Sequence, residues 1–384
     1  MYSRCINIKL PQGKTAFLWG ARQTGKSTYL KQQFKNQTRF DLLDTGLFME
    51  FTKAPSRMRE KIMFLHERRK LVQPVIVDEV QKVPGLLDEI HLCIEENKIS
   101  FILAGSSARK LKRGHGNLLG GRAWRYHLHP LVYREIPDFN LLRALRNGLL
   151  PPFYSEDDSS RSLSAYIIDY IKEEIAAEGI ARNIPAFSRF IDALRFCNGE
   201  LVNYTAISRD CGVDMKTVKG YFQILSDTLM GSLLFPFKKR PKRTVLTETP
   251  KFYLFDVGVA GHIEKRTIPD EAGSEFGRAF EHFIFMEIAA YRSYSGREFD
   301  VCYWRTPQGH EVDFVLNDGA VAVEVKGRKS IDNADLKNIA VFKGDYKPKR
   351  TIVVSNERSP RKTEHAEILP WRHFLEELWA GEIV

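Results

Sequence analysis

The stretch Gly20-Ala-Arg-Gln-Thr-Gly25-Lys26-Ser27 constrains this chain more than any other. It fits G-x-x-x-x-G-K-[ST], follows the apolar run Ala16-Phe-Leu-Trp19 and leads into a helical pattern, the strand, loop and helix context that the motif requires. In that context the glycines let backbone N–H groups curl around phosphate at a helix N-terminus. Lys26 then neutralises the β- and γ-phosphates and Ser27 ligates Mg2+. Gly20, Gln23, Thr24, Gly25, Lys26, Ser27 and Thr28 are the expected nucleotide contacts, and ATP and Mg2+ the implied cofactors. Such a loop belongs to an α/β layer with a parallel sheet.

A second signal agrees. Pro74-Val-Ile-Val-Asp78-Glu79 is an apolar strand ending in two carboxylates. Asp78 is expected to hold Mg2+ through water and Glu79 to polarise the attacking water. The next apolar run, Phe101–Ala104, ends in Gly105-Ser106-Ser107, which puts Ser106 in reach of the γ-phosphate; capping of a following helix by Ser106 or Ser107 is the alternative. An arginine from a neighbouring subunit completes many such sites, which implies a homo-oligomer. Arg122 is the candidate, with Arg109, Arg113 and Arg125 as competitors. The strands expected here are Thr15–Trp19, Arg39–Leu43, Pro74–Asp78 and Ser100–Ala104, with helices over Lys26–Phe34 and Leu86–Asn97.

The loop, the strand end Asp78-Glu79-Val80-Gln81, Gly105-Ser106-Ser107, Gly121-Arg122 and Pro130-Leu131-Val132-Tyr133-Arg134-Glu135 together resemble the prokaryotic AAA-type ATPases that carry a C-terminal domain of unknown function. The resemblance runs along essentially the whole chain and implies ATPase chemistry. At 384 residues the chain is too long for one core, so it divides. The expected division is a P-loop AAA-type ATPase module over 1–140, a helical and winged-helix-like domain over 141–265, and a further α/β domain over 266–384. Pro151–Ser162, rich in Pro, Ser and acids, reads as an exposed connection between the first two.

In the middle region, Ala206–Gly212 and Met215–Leu225 have helix-turn-helix spacing. Lys216, Thr217 and Lys219 fall at the start of the second helix. A strand, Ser232–Phe237, then leads to the basic run Lys238-Lys239-Arg240-Pro-Lys242-Arg243 and a further strand, Lys251–Phe255, which is the layout of a wing. Cations so placed bind phosphate without reading bases. A net charge of +10 favours a polyanionic partner without identifying one, and the basic run tips the balance towards DNA over a winged helix used only for packing.

Towards the C-terminus, Phe276–Tyr291 reads as a helix on which Glu281 shares a face with Ile284, Phe285 and Ile288, so its carboxylate needs a partner. Glu311–Leu316 and Ala320–Lys326 form a hairpin about Asp318-Gly319. A two-residue turn there sets Asp313 opposite Glu324 and Glu311 opposite Lys326. Opposed carboxylates repel unless a cation intervenes. The pattern resembles the PD-(D/E)xK nucleases, of restriction-endonuclease-like fold, where matching positions would make Glu281, Asp313 and Glu324 metal ligands and Lys326 a catalytic lysine.

Other classes are excluded. The longest apolar runs, such as Ile99–Ala104, fall far short of the about 18 residues a membrane span needs. The N-terminus carries no continuous apolar stretch of a secretory signal, and the five cysteines are scattered without metal-ligand spacing. A cytoplasmic location is expected.

Overall fold

The computed structural model describes residues 2–107, 123–171, 183–238 and 249–384. Two compact units emerge: one takes in the chain to Pro130 with Asp227–Met230, the other Leu131–Ser226 with Gly231–Val384.

The first unit runs β1 (Thr15–Trp19), α1 (Lys26–Gln33), β2 (Arg39–Asp41), α2 (Thr45–Lys53), α3 (Ser56–Glu67), β3 (Val75–Asp78), α4 (Leu86–Asn97), β4 (Phe101–Gly105) and β5 (Ala123–His127). The sheet order is β2-β3-β4-β1-β5, and every neighbouring pair is parallel. Strands β1, β3 and β4 are buried along their whole length, which is why their sequences are continuous apolar runs rather than alternating ones. Phe17, Val77, Phe101 and Leu103 of these strands share a core with Phe51, Met58, Ile62, Ile90 and Cys93 of the helices. β5 has no such signature. Its Ala-Trp-Arg-Tyr-His stretch is a half-exposed edge strand, so only pairing with β1 reveals it.

The second unit begins with α5 (Leu141–Asn147), α6 (Pro151–Tyr154) and α7 (Ser160–Ala165). Within Pro151–Ser162 most polar residues are exposed, as the composition suggests, but two short helices run through the segment. Proline suits the first turn of a helix, and Phe153 and Tyr154 are buried. Then come α8 (Ile184–Ala193), β6 (Glu200–Leu201), α9 (Tyr204–Cys211), α10 (Met215–Asp227), β7 (Gly231–Leu234) and β8 (Lys251–Leu254), with an antiparallel sheet of order β6-β8-β7.

The remainder comprises α11 (Val257–Glu264), α12 (Gly273–Tyr294), β9 (Val301–Arg305), β10 (Glu311–Leu316), β11 (Val321–Lys326), α13 (Lys337–Tyr346), β12 (Arg350–Ser355), β13 (Arg361–Lys362), β14 (Glu367–Pro370) and α14 (Trp371–Ala380). Its mixed sheet has the order β13-β14-β12-β11-β10-β9, antiparallel from β9 to β11 and parallel from β11 through β12 to β14. The hairpin register expected from the turn holds from Leu316↔Val321 to Phe314↔Val323. The paired register ends there, and Asp313 instead accepts through its side chain from Val325 N, beside an irregularity of β10 against β9 between Val312 and Val315. A Pro236↔Tyr303 bridge also ties the segment after β7 to β9.

Asp256 secures this unit locally. Its buried Oδ1 caps α11 by accepting from the N–H groups of Gly258 and Val259 at 3.0 and 2.9 Å, while Oδ2 accepts from Leu149 N at 2.7 Å. Burial pushes its carboxyl up to about 6 against those donors. The folded value lies above the unfolded one, so this group's contribution declines as pH rises from about 4 to about 6. Asp256→Ala should cost about 3 kcal/mol in urea unfolding, since three buried donors lose their acceptor. Asp256→Asn should cost less than half of that and flatten stability between pH 4 and 6.

Candidate functional site

The nucleotide loop leaves β1 at Trp19 and enters α1 at Lys26. Gly25, at φ +93°, makes the left-handed turn into the helix, a conformation that a side chain would strain. Lys26 is buried, and its Nζ donates to the loop carbonyls of Gly20 and Ala21 at 2.7 and 3.1 Å. Those are interactions that phosphate oxygens would take over. Thr24 is buried and its hydroxyl donates to Ala21 O at 2.8 Å, whereas Gln23 is exposed on the loop and Thr28 in the first turn of α1. Arg4 was not apparent from sequence. Its guanidinium donates to Thr24 O at 2.6 Å and to His129 O and Pro130 O at 2.6 and 3.2 Å, fastening the loop to the segment after β5.

Asp78 ends β3 with no solvent exposure. Burial pushes its carboxyl up, and the neighbouring Ser27 hydroxyl works against that shift. Oδ1 accepts from Glu79 N at 3.2 Å, while Oδ2 is buried without a hydrogen-bond partner. A buried, unsatisfied carboxylate oxygen beside a serine hydroxyl is the donor set of a hard cation, so Ser27 and Asp78 fit Mg2+.

Glu79 adopts a left-handed backbone, φ +57°, immediately after the strand. Its Oε2 accepts from Gln81 Nε2, which also donates to Ser106 Oγ at 3.1 Å. Gln81 thus bridges the ends of β3 and β4 and joins the two polar groups expected to face the γ-phosphate. Its partnerless Oε1 sits where a Cβ on Gly105 would come within 2.3 Å, so a side chain at 105 would displace the bridge. Gln81 was visible in sequence only as part of a motif. Its role as a link needed β4 beside β3.

Arg122 lies outside the described residues, as do Arg109 and Arg113. So do Lys239, Arg240, Lys242 and Arg243 of the basic run, together with any helix after Ser107. Lys216 and Lys219 are exposed at the start of α10, and Lys238 is exposed where the described chain pauses. Thr217 is differently employed: its N–H and hydroxyl both bond Asp214, at 2.9 and 2.8 Å, capping the helix. Asp214 is held below its ordinary range chiefly by the Thr217 N–H.

The second unit brings Glu281, Asp313, Glu324 and Lys326 together. Glu281 finds the partner its helix face demanded: Tyr253 OH donates to it at 2.6 Å and Lys251 Nζ lies 3.6 Å away, both from β8. Lys251 also pairs with Glu311, whose other oxygen is 3.0 Å from Arg305. Lys326 therefore does not face Glu311; it bonds Glu324 at 2.6 Å, while Asp313 accepts from Val325 N at 2.7 Å. Burial, followed by Glu281, pushes the Asp313 carboxyl up, and burial, followed by Asp313, does the same to Glu324. Among the described residues no three His, Cys, Asp or Glu side chains converge as a metal-ligand set. Lys251 stands beside Glu281 and Glu311 and acts on Asp313, so with Lys251 in place these carboxylates already hold a cation and do not fit a divalent ion as well.

Residues 12–137 match the family described as AAA domain. Residues 139–269 and 276–374 match two families each described as a domain of unknown function, DUF8612 and DUF4143. No curated protein matches the chain. Among solved structures, the chain is similar to the Walker-type ATPase paby2304 of Pyrococcus abyssi, at 15% identity and a TM-score of 0.41, over 65% of this chain and 90% of that one. It is also similar to the Aeropyrum pernix ORC1 protein, solved in complex with DNA, at 12% identity and a TM-score of 0.26, over 67% and 87%.

Replacing Gln81 by Leu removes the bridge between Glu79 and Ser106 and leaves the loop intact. ATP affinity should stay within about threefold, while turnover falls on the order of tenfold as the catalytic groups lose their alignment. Equilibrium nucleotide binding and single-turnover hydrolysis, measured on the same preparation, separate the two effects.

Proposed function

We propose that this chain is an ATP-binding and ATP-hydrolysing AAA-type ATPase that acts on DNA. The AAA domain match over 12–137 supports the ATPase class. The observation that carries the mechanism is the convergence, at one edge of a parallel sheet, of Lys26 and Ser27, Asp78 and Glu79, and Ser106. In this reading the loop N–H groups and Lys26 bind the phosphates. Ser27 and Asp78 would hold Mg2+, which when bound would supply neutralisation of charge on the phosphates. Glu79, steadied by Gln81, orients the attacking water, and Ser106 contacts the γ-phosphate. Arg122 is proposed to act on a neighbouring subunit's nucleotide, which makes the working form a homo-oligomer.

DNA is the proposed partner. The order α8, β6, α9, α10, β7, β8 supports a winged helix, Lys216 and Lys219 lie exposed at the start of its second motif helix, and the basic run falls between β7 and β8. We keep the division into 1–140, 141–265 and 266–384 as part of the proposal. No described helix is long and apolar enough to cross a membrane, and we place the protein in the cytoplasm. The helix α12 followed by β9, β10, β11, α13 and β12 supports a restriction-endonuclease-like fold. The Lys251 ammonium among its carboxylates favours an inert form of that fold, an ATP-regulated binding module, over a working nuclease.

Lys26→Ala should abolish tight ATP binding. Glu79→Gln should retain ATP and lose turnover by a factor on the order of 100 or more, because it spares the phosphate contacts. Turnover of wild-type protein with single-stranded, duplex and branched DNA at two salt concentrations tests the partner; indifference to all three would remove DNA from the reading. The double variant Lys216→Ala, Lys219→Ala should weaken DNA binding alike across sequences and flatten the log–log salt slope by about 2. Fluorescence anisotropy across a salt series reads both.

A further inference from the structure

Lys251 is a buried ammonium, its side chain 5% exposed, brought by β8 into a centre otherwise built from α12, β10 and β11. It pairs with Glu311, lies 3.6 Å from Glu281 Oε1, and acts electrostatically on Asp313. Burial works to lower its pKa, yet Tyr253, Glu281, Asp313 and Glu311 outweigh burial and hold the ammonium protonated. Beside it, Glu324 is 2% exposed, and its Oε2 has no hydrogen-bond partner. A buried carboxylate oxygen left unsatisfied is costly and needs a reason. Lys326 takes only the other oxygen, Oε1.

We propose that Lys251 is the built-in cation of this acidic centre: a lysine tethered through β8 that pairs with Glu311, offsets charge on Glu281 and Asp313, and thereby excludes divalent metal. The physical argument is charge balance. Carboxylates gathered out of water demand a positive partner, and whichever cation holds that position bars another from it by like-charge repulsion. An ammonium and a divalent ion are therefore alternatives. The orphaned Glu324 oxygen is the acceptor that Lys251 does not reach and that an ion between the carboxylates would use. This inference concerns the second unit alone and stands whether or not the chain hydrolyses ATP.

The test uses the full chain without nucleotide, with Mn2+ as probe. Free Mn2+ is counted by electron paramagnetic resonance, and thermal unfolding is followed in EDTA and in Mn2+. Wild-type protein should bind no Mn2+ that depends on Asp313, and Asp313→Asn should leave any change of its unfolding temperature between EDTA and Mn2+ as it was. Lys251→Met removes the charge and keeps the length. It should lower the Tm in EDTA by on the order of 10 °C, take up one Mn2+ per chain, and regain at least half of the loss in Mn2+. Adding Asp313→Asn should erase the gain, which separates this centre from Asp78. Two results would overturn the proposal: Asp313-dependent Mn2+ binding by wild-type protein, or a folded Lys251→Met that binds none. Should Lys251→Met not fold in either condition, Lys251→Gln is put to the same titration, and the wild-type arm decides by itself.

Discussion

Parallel pairing places the carboxyl ends of β1, β3 and β4 at one edge, and the chemistry of the first unit depends on that alignment. Phe17 pairs with Leu103 and Leu103 with Val77, so the three strands run in step across the sheet. What leaves them therefore leaves together: the phosphate loop after Trp19, Asp78 and Glu79 at the end of β3, and Ser106 after Gly105. Open α/β sheets bind ligands outside such strand ends. β4 stands between the strand that launches the loop and the strand that bears the acids. Its insertion creates the gap that Gln81 spans and brings Ser106 to Glu79.

Both centres of the chain are gatherings of buried acid, and they are neutralised by opposite means. Asp78 keeps one oxygen unsatisfied beside Ser27, with Lys26 folded onto its own loop, an arrangement that leaves room for an external cation to complete it. The second centre draws its cations from the chain itself and, among its described carboxylate oxygens, leaves only Glu324 Oε2 orphaned. Lys251, Lys326 and Arg305 reach Glu281, Glu311 and Glu324, and Tyr253 donates to Glu281. A site ready for an external cation and one already holding internal cations differ in consequence even where their carboxylates look alike. Removing a partner from either strands a buried charge, and that is the strongest electrostatic penalty a core can carry.

The first centre was legible because its information is local. A motif of eight consecutive positions and a strand ending in Asp-Glu carry their own geometry, since backbone turns and strand ends follow from neighbours in sequence. Gly25, Lys26, Ser27, Asp78 and Glu79 stand where that pattern puts them, and the hairpin register was legible for the same reason as far as Phe314. Beyond it the pattern misled. Lys326 pairs with Glu324 and not with Glu311, because β10 is irregular at this point and Glu311 already has Lys251 and Arg305. At Pro151–Ser162 composition showed the exposed polar residues and not the two short helices or the burial of Phe153 and Tyr154.

By itself, then, the sequence determined the parallel α/β layer, the phosphate loop, the acidic strand end and the pair of helices with turn spacing, since each is written in residues close together along the chain. Tertiary structure alone decided which distant side chains meet. Arg4 fastens the loop to the segment after β5, Gln81 joins Glu79 to Ser106, and Lys251 enters a carboxylate cluster built from elements far along the chain. No periodicity or spacing encodes those encounters. They follow from the order in which strands lie in a sheet and from the need of every buried charge for a partner, conditions that only the folded chain satisfies.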